Sequence, residues 1–150
     1  MSETKQHAAV ETFVQTLDTM AFIPSEPIDV ALAEPPNDAV LVTLSFTGPT
    51  SGTLELVASR QFARLLAANV VGEEPDDPDA ERKAEDSIKE LINVAAGAMM
   101  PQIADSENDV FSLSLPTLQR FNTERNWREF ADHAFVLNAD GQTIALRLVV

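Results

Sequence analysis

From about Ala80 to Ala104 apolar residues recur at helical spacing for roughly seven turns, and this stretch constrains the fold more than any other. At about 100° per residue, Ala84, Ile88, Leu91, Ile92, Ala95, Met99 and Ile103 gather on one side. Asp86, Glu90, Asn93 and Gly97 fall within roughly 60° of one another on the opposite side. A long helix with one apolar face must lie on something apolar. Only Gly97 and Pro101 raise questions about its continuity.

The rest of the chain supplies the surface that helix needs. Between Glu3 and Met20 a first amphipathic helix places Ala9, Val10, Phe13, Val14, Leu17 and Met20 at helical spacing and ends near Pro24. Ile28 to Leu32 and Val40 to Phe46 read as two strands joined by a turn at Pro35-Pro36-Asn37-Asp38. After the turn residues Thr47 to Gly52, Thr53 to Val57 makes a third strand, in a hairpin with the second. Ser59 is a good N-cap for a short helix from Arg60 to about Asn69, which Gly72 ends. The linker Gly72 to Asp79, with two prolines and five acidic residues, reads as a solvated loop.

Beyond the long helix, Val110 to Leu115 alternates as a strand and stops at Pro116. Ala134 to Leu137 and Thr143 to Val150 flank the hairpin turn Asn138-Ala139-Asp140-Gly141. Trp127 and Phe130 fall in a segment to which no element is assigned, and lone aromatics there read as edge packing. The order is helix, three strands, short helix, then long helix and three or four strands. The class is therefore α+β: two similar halves, each a helix plus a three-stranded antiparallel unit, forming a sheet packed against two long helices. At 150 residues, one domain over 1–150 is expected.

Charge and composition exclude several functions. A formal charge of −14 repels phosphate backbones, so nucleic acid and anionic membrane are poor partners. No cysteine means no disulfide, no thiolate nucleophile and no thiolate metal site, which suits a cytoplasmic setting. The start MSETKQHAAV has no apolar signal core, and LINVAAGAMM is too short to span a bilayer. His7 and His133, the latter in a strand-like segment, are far apart and form no ligand cluster, so no metal site is expected.

On the polar stripe, Asp86 with Arg82 or Lys89 reads as ordinary helix-surface pairing. Asn93 and Gly97 fit that reading less well, because both are poor helix formers and Gly typically costs about 0.8–1.0 kcal/mol relative to Ala. A primary amide one turn from a carboxylate can orient a water, and a glycine one turn further lets a partner come close. The chain has no basic cradle or glycine-rich phosphate loop. For phosphate chemistry the substrate would have to bring its own electrophilic apparatus.

The string DSIKELIN gives Asp86, Glu90 after three residues and Asn93 after two, and Pro116 follows after 22 intervening residues. This resembles the D/S-x3-E-x2-N-x22-P signature of the CheC, CheX and FliY phosphatases of bacterial chemotaxis. The resemblance implies hydrolysis of phosphoaspartate on a CheY-like response-regulator receiver domain. Asn93 would position the attacking water and Glu90 would pair with the receiver's lysine. Asp86, Lys89 and Gly97 would be partner-binding positions, with Pro116 structural at a strand end. No cofactor of its own is implied, Mg²⁺ being expected in the partner receiver. CheC carries the signature twice, but no Glu-x2-Asn occurs between Glu3 and Met20 here. One site per chain and a likeness to CheX follow, and CheX-type proteins are homodimers. The alternative is a non-catalytic receiver-binding adaptor of the same fold.

Overall fold

The structure is a computed structural model describing residues 1–72 and 76–150. Four helices pack with one antiparallel sheet: α1 (Glu3–Ala21), α2 (Arg60–Val71), α3 (Ala80–Ile103) and α4 (Thr123–Asp132). The strands are β1 (Ser25–Pro27), β2 (Ala39–Thr47), β3 (Gly52–Ser59), β4 (Ser112–Leu113), β5 (Thr117–Phe121), β6 (Phe135–Ala139) and β7 (Gln142–Val149). Their order is β1-β6-β7-β3-β2, with β4 and β5 following one another along the outer edge of β2.

That order makes the two-half pattern physical. The hairpins β2–β3 and β6–β7 meet through β3 and β7 at the centre of the sheet. Each half then lends a strand to the other: β1 pairs with β6, and β5 pairs with β2. Alternation along β2 sends Val40, Val42, Leu44 and Phe46 to the inner face. There they meet Phe13 and Leu17 of α1, Phe62 and Leu66 of α2, and Ile88, Leu91 and Ile92 of α3. Ala39 and Val57 point the other way, under α4.

α1 and α3 run antiparallel, since the Lys5 ammonium at the start of α1 donates to the Ile103 carbonyl at 3.2 Å at the end of α3. Ser59 caps α2 as the sequence predicts, its hydroxyl accepting from the Phe62 N–H at 3.0 Å. Gly72 ends that helix at φ 68°. The linker reading of Gly72 to Asp79 falls partly on residues 73–75, which lie outside the described residues. Asp77, on the described side, is bound to Lys83, which holds its carboxyl below the ordinary value.

Several local expectations are corrected. Ile28 to Leu32 is not a strand: β1 precedes it, and Val30–Leu32 is a single 3-10 turn capped by Asp29, which accepts from the Ala31 N–H at 2.9 Å. Nor is it joined to β2, because β1 pairs with β6 instead. Val110 to Leu115 shrinks to β4, because Ser45 N–H binds the Ser114 hydroxyl at 2.9 Å, a side chain standing in the ladder, and Pro116 has no N–H. Pro116 therefore sits between β4 and β5, half-buried, just before β5 rather than at the end of a long strand.

The unassigned segment is α4, capped by Asn122, which accepts from the Arg125 N–H at 3.1 Å. Trp127 and Phe130 do not pack at an edge. They are 7% and 2% exposed and cover the outer sheet face with Phe121, Val136 and Ala145. His133 caps the end of α4 rather than lying in a strand.

Candidate functional site

α3 runs unbroken from Ala80 to Ile103, through Gly97 and Pro101. Its inner face buries Ala84, Ile88, Leu91, Ile92, Ala95, Ala96, Met99 and Ile103 against the sheet and α1. Each large apolar side chain there is worth about 1.5–3 kcal/mol of burial. Turning the helix by one residue, about 100°, would expose that face, so its rotation is fixed. Asp86, Glu90, Asn93 and Gly97 are thereby held outward, all exposed.

The first turns of α3 are tied to α2. Arg60 reaches Glu85 at 3.2 Å and Glu81 at 3.5 Å, and Arg64 also bonds Glu81. Such exposed pairs contribute about 0–1 kcal/mol each, so they set register more than stability. Asp86 belongs to this group: Arg82 holds its carboxylate at 3.3 Å, the surface pairing read from the sequence. Lys89 is half-buried at the margin of the stripe. Pro116 lies off the helix altogether, at the β2 edge of the sheet.

Glu90 and Asn93 differ from these neighbours. Among the described residues neither makes a hydrogen bond or an ion pair. On a helix, residues three apart are neighbours at about 5–6 Å between Cβ atoms. The site is therefore a carboxylate and an amide side by side on a rigid scaffold, engaged by nothing among the described residues of their own chain. A Cβ placed on Gly97 would meet nothing within 4 Å, so packing within the chain does not require a glycine there. Among the described residues no group of three or more His, Asp and Glu is placed to hold a metal.

Beyond Gly97 the same helix face opens into a groove of about 600 Å³, which the sequence reading missed. Gly97, Met100 and Pro101 form one wall, and Val110, Phe111 and Leu113 form the other. Pro101 was the available signal. Four residues after Gly97, it has no N–H to offer the Gly97 carbonyl.

Residues 40–126, more than half the chain, match the family model described as chemotaxis phosphatase CheX. The chain belongs to that family. The sequence matches no curated protein. Among solved structures it is similar to chemotaxis protein CheX from Vibrio vulnificus, at 16% identity over 99% of this chain and 96% of that one, TM-score 0.72. A CheX-CheY-BeF3-Mg complex from Borrelia burgdorferi matches at 15% identity over 97% of this chain and 96% of that one, TM-score 0.69. FliY from Thermotoga maritima matches at 12% identity over 99% and 91%, TM-score 0.61. Identities this low carry the fold. The α+β arrangement is thus that of the CheC, CheX and FliY proteins, most like CheX. No helix among the described residues is long and apolar enough to cross a membrane.

Proposed function

We propose that this chain hydrolyses the phosphoaspartate of a CheY-like receiver domain, with one site per chain formed by Glu90 and Asn93. What carries the reading is the pair itself: outward, rigidly mounted and unengaged, in a member of a family described as chemotaxis phosphatase. Asn93 enters the receiver's site, and its carboxamide accepts from and orients a water in line with phosphorus. Attack by that water breaks the bond between phosphorus and the aspartyl oxygen, releasing inorganic phosphate and a free carboxylate. Glu90 pairs with the receiver's lysine and fixes the docking register.

Phosphoryl transfer is governed by positioning and charge stabilisation, so a helix that only places a water is sufficient when the receiver supplies lysine and Mg²⁺. The Borrelia complex, in which a CheX is found with CheY, BeF3 and magnesium, supports a receiver as the partner. The homodimer implied by the resemblance and the cytoplasmic setting suggested by the absence of cysteine belong to the same proposal, and light scattering of the purified chain reads the first directly.

The test follows phosphate release from a phosphorylated receiver with wild type, Glu90→Ala and Asn93→Ala. Wild type should accelerate release and both variants should lose most of that acceleration. Unchanged rates in both variants would refute the assignment, and tight binding without acceleration would make the chain an adaptor.

A further inference from the structure

The groove at the end of α3 is continuous with the Glu90 and Asn93 stripe through Gly97, which borders both. Its walls and rim differ in chemistry. The walls carry apolar surface from Met100, Phe111 and Leu113, and Val110 stands 79% exposed at the lip. Phe111, half-buried, packs edge-on against Phe46 at 6.2 Å. Val110, its neighbour, is left in water.

The rim is acidic: Asp105, Glu107 and Asp109 line it. Lys5 engages Asp105, and Asp109 accepts from the backbone N–H of Asp105 at 2.9 Å and of Ser106 at 3.2 Å. Glu107 is exposed and, among the described residues, has no hydrogen bond or ion pair. Pro101, beside the groove, has no N–H to close the ordinary helical bond of the Gly97 carbonyl.

An apolar trough leading to acceptors and negative charge fits a long aliphatic stem ending in a cation. A carboxylate or phosphate would be repelled by the rim, and a purely apolar side chain would leave the rim charge unanswered. We propose that this groove takes a lysine or arginine side chain of the receiver, on a loop bordering its phosphorylated carboxylate, and so selects which receiver is served. This cation is separate from the lysine that Glu90 addresses, and the inference rests on the phosphatase reading above. A cation on the partner would also offset part of the formal charge of −14 where the two surfaces meet.

The experiment uses the full chain and a receiver from the same cell, in phosphorylated form for turnover and beryllofluoride-activated for binding. Glu107→Lys and Val110→Ser alter exposed side chains, and thermal unfolding checks that both variants remain folded. Each should raise KM and the receiver Kd by roughly tenfold, as the loss of one good contact does, with kcat within about twofold of wild type. Reversing the charge of the receiver's basic loop residue should restore the affinity of Glu107→Lys. KM and Kd unchanged in both variants would overturn the groove while leaving the phosphatase reading intact if Asn93→Ala still abolishes turnover. If wild type does not accelerate hydrolysis, that reading fails, and the Kd values decide the groove by themselves.

Discussion

α1 and α3 bury the same pattern and expose different chemistry. Ala9, Phe13, Thr16, Leu17 and Ala21 of α1 face inward with the spacing of Ala84, Ile88, Leu91, Ile92 and Ala96 of α3. The outward stripe of α1 is then Glu11, Gln15, Asp18 and Phe22, where α3 has Asp86, Glu90, Asn93 and Gly97. The shapes nearly match but the charges are exchanged. Gln15 stands where Glu90 does and has no charge to offer a lysine. Asp18 stands where Asn93 does and would set a carboxylate against phosphoryl oxygens. Phe22, 76% exposed, fills the space that Gly97 leaves open. Geometry of presentation is shared by both helices, so what separates them is which atom carries charge and which position is empty.

The largest effect is expected from making α3 resemble α1 at one atom. Asn93→Asp preserves size, removes the amide donor and adds charge, and should lower turnover of a phosphorylated receiver by about 10²–10³, the usual cost of losing one transition-state group. Retention of wild-type turnover would break the comparison. Glu90→Gln removes a charge-assisted hydrogen bond of about 1.5–3 kcal/mol and should cut kcat/KM by roughly tenfold to a hundredfold, with greater loss at low salt.

Stability should respond in the opposite sense to function. Gly97→Ala meets nothing within 4 Å and should raise unfolding free energy by about 0.8–1.0 kcal/mol in denaturant titrations while weakening receiver binding. Phe22 holds a left-handed φ of 57° as the cap of α1, with its N–H bound to Asp18 O at 2.9 Å, so Phe22→Gly should stabilise by up to about 1 kcal/mol. That change should leave turnover untouched. A gain in stability from Phe22→Gly together with a loss of binding from Gly97→Ala would show that the open position at 97, and not its counterpart at 22, serves a partner.

The smallest effect is electrostatic. The Lys5 ammonium beside Asp105 holds its carboxyl below the ordinary 3.8. A folded-state value below the unfolded one stabilises at pH above 3.8, and the contribution is lost as pH falls through the lowered value. Lys5→Ala should therefore unfold more easily than wild type at neutral pH, and the difference should narrow on acidification below that range to what the Ile103 carbonyl contact contributes. Both partners are solvent-accessible, so the gap should be slight and shrink with salt.

Local chemistry was readable from the sequence wherever a segment makes its own case. The bounds of α3, the Ser59 cap, the Gly72 stop and the two tight hairpins all follow from residues within a few positions of one another. β1, β5 and α4 did not. β1 has three residues and ends in Pro27, and β5 is read as a strand only because β2 offers it an edge. The signal for α4, Asn122 followed by Trp127, Phe130 and Ala131 at helical spacing, was present but short.

By itself the sequence determined that Glu90 and Asn93 share one face of a long helix, because helical spacing is set by the backbone and the apolar side chains fix which face is dry. It also carried the likeness to CheX through four residues at fixed separations. Only the tertiary structure decided that each half lends a strand to the other, and that the stripe ends in a groove with an acidic rim. Strand exchange and a groove between the end of α3 and residues 105–113 depend on which distant segments meet. No local periodicity encodes such pairings, since their free energy comes from burying surfaces that are far apart in the chain.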